Sequence, residues 1–318
     1  MIDEAGALLD AVDDARLRHP FESAERTTWF YTPTDHGGVP LSALSPDQQQ
    51  LVYRLLGAAL SPSAYATACT IVGLDNVLDQ VEGFRPAWGG RSRTRDPGAY
   101  FIAVYGDPSS GTWAWSFGGH HVSVHRTFVD GALVASTPSF FGADPADTRL
   151  LGGHWLRPLA TYEDLGRELV HAHPDAVATN DAPIDMASGN RPFLTEGDST
   201  MNLFALMRDG AGDPPAVDPV IPLTRTPAHG ITSPDVQPLL DAFAEQVDGL
   251  ALWADDFRFL WAGGVEKGEP HYYRLQSADW LIEYDNVQRD VNHIHTVVRS
   301  WDGDFGRDVL SAHHRASH

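Results

Sequence analysis

Histidine is the residue type that gives this sequence chemical capacity, and two clusters hold six of its fifteen. The first is Gly118-Gly119-His120-His121-Val122-Ser123-Val124-His125. Its Val-Ser-Val alternation predicts a strand, with His121, Ser123 and His125 on one face and His120 on the other. A helix would instead pair His121 with His125 at i, i+4. Either geometry brings two imidazoles together, which is half of a metal site.

The second cluster gathers His271, Glu283, Asp285, Asp290, His293 and His295 within 25 residues. In a strand over Leu281–Asp285, Glu283 and Asp285 share a face, and the two rings of His293-Ile294-His295 project together. A hairpin through Asn286–Asn292 would set Glu283 across from the histidine pair, where facing Cβ atoms lie about 5 Å apart. Two neutral imidazoles and a carboxylate form the facial set that holds non-haem iron and also suits zinc, manganese or copper. The expected ligands are therefore His293, His295 and Glu283, joined by His121 or His120. An isolated strand histidine is ordinarily solvated or hydrogen-bonded. Here the distinguishing feature is an H-x-H pair with a carboxylate in register.

Other side chains near these clusters suggest supporting roles. Arg274 could clamp a substrate carboxylate bidentately or pair with an acidic side chain, and Arg126 and Arg299 also follow the clusters closely. Tyr273 or Tyr284 is expected to act from behind the ligands, and Asp285 to serve as a base. The tryptophans flank β-type runs and are expected in the core first, in a pocket wall second.

The elements that must position these residues fall into an α+β pattern. Residues 1–18 read as a helix, Ser45-Pro46-Asp47 caps a second over 48–60, and Pro62 opens a third reaching Val81. From Ala99 the period changes to short β-type runs over 100–105, 112–117, 121–128 and 132–136, with Asp130-Gly131 as a hairpin turn. A helix follows over 163–173, then another over 236–246, and β character returns over 257–261, 271–276, 280–284 and 293–299. A last short helix is expected over 305–314. Residues 176–234 are rich in Pro, Gly, Asp and Thr, with one short helix near 200–207, and read as a long excursion serving as a lid. Two strand clusters with helices around them predict a mainly antiparallel sheet with flanking helices in one large domain, 1–318.

Composition narrows the function. With 22 Lys and Arg against 43 Asp and Glu, the net charge of −21 disfavours nucleic acid and anionic membranes as partners. The single cysteine, Cys69, removes cysteine-based metal cages. No Walker loop, G-x-G-x-x-G, G-x-S-x-G or H-E-x-x-H signature occurs. The acidic start lacks the pattern of a signal peptide, and no apolar run approaches the roughly 20 residues of a membrane span, so a cytoplasmic protein is expected.

Taken together the motifs resemble the bacterial and fungal family catalogued as domain of unknown function 3500. The resemblance rests on Trp115-Ser116-Phe117-Gly118-Gly119-His120-His121-Val122-Ser123-Val124 and on Ser136-Thr137-Pro138-Ser139-Phe140-Phe141-Gly142-Ala143-Asp144-Pro145. It continues in His271-Tyr272-Tyr273-Arg274-Leu275-Gln276, Leu281-Ile282-Glu283-Tyr284-Asp285-Asn286, Asn292-His293-Ile294-His295-Thr296-Val297 and Asp304-Phe305-Gly306-Arg307-Asp308-Val309-Leu310. It covers most of the chain from about residue 20, apart from the middle. It implies that the G-H-H-x-S, I-E-Y-D-N and H-x-H elements act together. The family pattern has Asn where this chain has His125, which shifts the expected ligand to His120 or His121. Many similar proteins begin with export signals, so the resemblance carries no location over to this chain.

The expected protein is a metal-dependent enzyme acting on a small organic molecule, with iron or copper redox chemistry first and zinc-type hydrolysis second. A non-catalytic binding protein, its histidines hydrogen-bonded in a polar interior, is the alternative from another class.

Overall fold

The computed structural model describes residues 1–29, 35–84, 93, 95–150, 153–178, 225, 228–247, 250–288 and 290–307. Helices α1 (Ile2–Ala11), α2 (Pro46–Ala59) and α3 (Pro62–Val81) come first in the chain. Helix α2 starts where its capping chemistry dictates. The Ser45 side chain accepts from the Gln48 amide, the Gln48 side chain accepts from the Ser45 amide, and Pro46 occupies the first turn. Helix α1 is shorter than the 1–18 expected, ending at Val12 and giving way to a single 3-10 turn over Ala15–Leu17.

Two two-residue strands, β1 (Arg18–His19) and β2 (Val39–Pro40), precede the principal ones. These are β3 (Phe101–Gly106), β4 (Thr112–Gly118), β5 (Val122–Val129), β6 (Ala132–Ala135) and β7 (Ser139–Ala143). A small separate pair, β8 (Thr148–Leu150) and β9 (His154–Leu156), leads into α4 (Ala160–Ala172). After α5 (Gln237–Ala244) come β10 (Arg258–Gly263), β11 (His271–Gln276), β12 (Trp280–Gln288) and β13 (His293–Ser300).

Both strand clusters belong to one 11-stranded sheet with the order β1-β3-β4-β5-β7-β13-β12-β11-β10, while β2 pairs β3 and β6 pairs β5. All named pairings in it are antiparallel except β1 with β3. The joining strand is β7, which pairs with β5 on one side and β13 on the other. Sequence patterning does not mark it, because Ser-Phe-Phe-Gly-Ala neither alternates nor forms a long apolar run. The α+β, mainly antiparallel expectation holds.

The sheet is two-faced. Val122, Val124, Phe141, Ile294, Val298, Ile282 and Tyr284 enter the large apolar cluster shared with the helices. The alternate positions on β11–β13 are buried too, yet they carry Tyr272, Arg274, Glu283, Asp285 and His295. Such a row is tolerated only if its polar groups answer one another.

Both described flanks of the proline-rich excursion rest on β10: Val177 bridges Trp261, and Ile231 bridges Phe259. Its core, including the expected helix over 200–207, lies outside the described residues, as does most of the expected helix over 305–314, whose described start is the 3-10 turn Asp304–Gly306. No helix among the described residues is long and apolar enough to cross a membrane.

Because β7 joins the two halves, truncating its fully buried Phe141 should be costly. Phe141→Ala is expected to lower stability by about 3–5 kcal/mol, measured by urea unfolding. A loss below about 1 kcal/mol would contradict the joining role.

Candidate metal centre

The centre forms at one end of three adjacent strands, where β5 and β13 begin and β7 finishes. His121 closes the turn between β4 and β5, and His293 and His295 open β13. The three histidines bring one ligand nitrogen each to within 4.8 Å of the others. His121 Nε2 and His293 Nε2 stand 3.0 Å apart. The ring centroids of His293 and His295 are 4.4 Å apart, and those of His121 and His295 5.9 Å. Two imidazole nitrogens bound to one ion at about 2.0–2.1 Å lie about 3.0–3.4 Å apart, so this spacing fits a shared cation.

Local structure explains the convergence. His295 lies opposite Gly142 in the β13–β7 register, and the Gly142 amide donates to the His121 carbonyl at 2.7 Å. A Cβ at residue 142 would sit 2.9 Å from the His121 ring and 3.1 Å from the His295 ring. Glycine there is what lets the two rings close over the strand. The Asn292 side chain accepts from the Asp147 amide and the Asn292 carbonyl from the Ala146 amide, tying the chain after β7 to the start of β13. That link holds Asp144 Oδ2 at 3.7 Å from His293 Nδ1, leaving Nε2 turned to His121. A carboxylate behind a ligating imidazole fixes its orientation and tautomer.

Burial sets the electrostatics. His121 and His295 are almost wholly buried, while His293 keeps some solvent contact. Burial first, and neighbouring histidines second, push the His121 pKa well below its ordinary value. The same forces take His295 to about 3, with Asp285 opposing them. His121 and His295 are therefore neutral near pH 7, the form that binds metal.

Beside this trio, Asp75 from α3 approaches His120, Oδ1 to Nε2 at 3.4 Å. Asp75, His120 and His121 again offer ligand atoms within 4.8 Å of one another. Sequence analysis missed Asp75. Its signal was an acidic residue in line with Ala68, Ile71 and Leu78 on the buried face of an otherwise apolar helix. It missed Asp144 and Gly142 as well, since both depend on β7.

Several expectations are corrected. His120 does not point away from His121, because the pair lies in a turn rather than in a strand; their rings are 3.9 Å apart. Glu283 is not beside the histidine pair. The β12–β13 register sets it opposite Val297 and sets Asp285 opposite His295. Glu283 instead accepts from Arg274 Nη2 at 3.0 Å and from the Tyr272 hydroxyl. Arg274 is thus held in a buried ion pair. Burial disfavours its charge, but Tyr272 and Glu283 outweigh that and raise its pKa.

Tyr273 faces the opposite side of the sheet, where it stacks against Tyr284 at 4.8 Å and donates to the Tyr162 carbonyl. Both tyrosines belong to the large apolar cluster on that side of the sheet. His271 stacks on Trp261, with Nδ1 2.8 Å from the Glu269 carbonyl. His125 meets Ser123 Oγ at 3.0 Å and the edge of Phe305. Arg126 serves the main chain, donating to the carbonyls of Ala59, His125 and Ser136, and Arg299 pairs with Asp304 at 2.6 Å.

Comparison with known proteins matches residues 1–205 and 237–307 to the family described as protein of unknown function DUF3500. The chain belongs to the DUF3500 family. No curated protein and no solved structure matches it. The family's motifs thus converge in space: G-H-H and H-x-H meet over the glycine of S-F-F-G-A-D, and I-E-Y-D-N borders them through Asp285.

Three outcomes follow. Gly142→Ala should retain the fold but displace the rings of His121 and His295, lowering metal affinity at least tenfold in calorimetric titration; unchanged affinity would contradict the geometry. Arg274→Met should cost about 3–5 kcal/mol in urea unfolding by stranding Glu283, with much of the loss recovered in Arg274→Met/Glu283→Leu. A substrate clamp without structural duty would leave stability unchanged. Thirdly, the metal-free protein should lose stability between pH 7 and pH 5. His121, His125, His271 and His295 all have lowered folded pKa values, so the unfolded chain takes up more protons below about 6.5. Each adds up to about 1.4 kcal/mol per pH unit, and Asp75, with its raised pKa, opposes them. Stability that is flat or rising toward pH 5 would refute this.

Proposed function

We propose that this chain is a metal-dependent enzyme acting on a small organic molecule, with His121, His293 and His295 holding a divalent transition-metal ion. The observation that supports it is the approach of His121 Nε2 and His293 Nε2 to 3.0 Å, with His295 completing a group of three imidazoles at one end of the sheet. An N–H···N hydrogen bond between two neutral rings has the same length, and what favours an ion is the third imidazole, His295, whose ligand nitrogen lies within 4.8 Å of the other two.

The donor set favours Lewis-acid hydrolysis over the redox chemistry expected from sequence. Three neutral nitrogens leave the ion's charge undiminished, and such an ion acidifies bound water to a pKa of about 7. In that reaction the water oxygen bonds to the electrophilic centre of the substrate. The bond to the leaving group breaks, and the water's protons pass to solvent and to the leaving group. The two-histidine, one-carboxylate arrangement of non-haem iron loses its expected carboxylate, since Glu283 is engaged by Arg274 and Tyr272. Zinc is therefore the first choice, with manganese, iron and copper also suited to imidazole-containing sites.

On this reading Asp144 positions His293, Asp285 flanks His295, and the substrate approaches from the side of His293, the most exposed ring of the three. A small organic substrate is consistent with the strong negative charge, which suits neither nucleic acid nor an anionic membrane.

Elemental analysis of protein purified without chelators, beside His293→Ala/His295→Ala, tests the proposal. The expected result is bound zinc in the wild type, greatly reduced in a still-folded double variant, with zinc-restored hydrolysis of ester, amide or phosphoester substrates. Bound iron or copper with dioxygen consumption would overturn the hydrolytic reading. Failure to bind any transition metal after reconstitution would overturn the metal centre itself.

A further inference from the structure

Two groups of buried ligand atoms in this fold share one residue. Beyond the three-histidine centre, Asp75, His120 and His121 offer a carboxylate and two imidazoles within 4.8 Å of one another. The members come from separate elements, Asp75 from α3 and the histidines from the β4–β5 turn, so their meeting is a product of tertiary structure.

Several features set this group apart from an ordinary buried ion pair. Asp75 is 1% exposed, and neither of its carboxylate oxygens makes a hydrogen bond of ordinary length and angle among the described residues, although the Tyr100 hydroxyl and the His120 ring lie close by. His120 Nε2 is in the same position, although it lies 3.4 Å from Asp75 Oδ1. The buried Tyr100 hydroxyl interacts with the Asp75 carboxylate but, being neutral, does not balance its charge. The nearby guanidinium of Arg95 is already committed to Glu82, through Nε at 2.9 Å and Nη2 at 3.0 Å. A folded interior ordinarily satisfies its polar atoms, and a buried carboxylate in particular needs a cation or several donors. Asp75 also occupies a helix position in line with Ala68, Ile71 and Leu78, where an apolar side chain would be expected to pack.

We propose that Asp75, His120 and His121 form a second cation position beside the three-histidine centre, so that the chain binds two divalent transition-metal ions bridged by His121, one ring nitrogen to each ion, its N–H proton passing to solvent as the imidazolate forms. One carboxylate oxygen and two imidazole nitrogens suit zinc, iron or manganese. The carboxylate balances part of the second ion's charge, which the all-imidazole set does not do for the first. The proposal rests on the three-histidine centre described above for the shared residue, but its stoichiometry is separately measurable.

The test is a titration of metal-free protein with Zn2+ alone, followed by calorimetry and by elemental analysis after gel filtration, with circular dichroism to confirm folding. Wild type is expected to take up two equivalents, and Asp75→Asn and His120→Ala one each, while His293→Ala/His295→Ala loses the other. One equivalent in wild type and also in Asp75→Asn would overturn the second position and leave the three-histidine centre standing. One equivalent in wild type that vanishes in Asp75→Asn would also overturn it, since all five residues would then serve a single ion. No uptake at all would overturn both. Wild-type stoichiometry decides the question even if a variant fails to fold.

Discussion

Two imidazole edges meet nitrogen to nitrogen at 3.0 Å inside this protein, and the surrounding structure serves that encounter. Charged rings would repel each other and be costly to desolvate, so the arrangement demands neutral histidines, and burial supplies them. It demands space, which the missing side chain of Gly142 provides. It also demands that residues 172 apart in sequence arrive at the same end of the sheet. The strand β7 meets that need by pairing with β5 and β13 at once.

The polar face of the sheet extends the same logic. Arg274 and Glu283 neutralise each other, and Arg299 and Asp304 do so farther along β13. Their charges are thereby spent inside the fold. The residues at the strand ends are different, because Asp75 faces the neutral Tyr100 hydroxyl and the His120 ring while the nearby Arg95 is hydrogen-bonded to Glu82. A fold that satisfies its buried arginines so thoroughly, yet gathers imidazoles and carboxylates without matching donors, has concentrated its electrostatic cost in one place. Such concentration characterises functional sites more than structural ones.

Much of this was legible in the sequence. Capping at Ser45 and Pro62, the Asp130-Gly131 hairpin and the H-x-H alternation are local signals, and the corresponding elements formed within a few residues of expectation. The pairing of His293 with His295 followed from period-two geometry, whereas their meeting with His121 depends on β7, which no sequence pattern marks. What failed was register. Placing Glu283 near His295 needed the offset across the β12–β13 hairpin, which an irregularity between Asp285 and Gln288 resets. Side-chain alternation then assigned Tyr273 to the apolar face, away from the ligands. Asp75 and Asp144 were hidden for another reason, since each reaches the site through tertiary contacts that leave no spacing pattern near the histidines.

The most direct measurement is X-ray absorption at the zinc edge of protein loaded with one equivalent of Zn2+. The fine structure should show nitrogen and oxygen scatterers at about 2.0–2.1 Å, with the outer-shell signature of about three imidazoles, two of them lost in His293→Ala/His295→Ala. A first shell of oxygen alone, without imidazole scattering, would contradict the three-histidine centre.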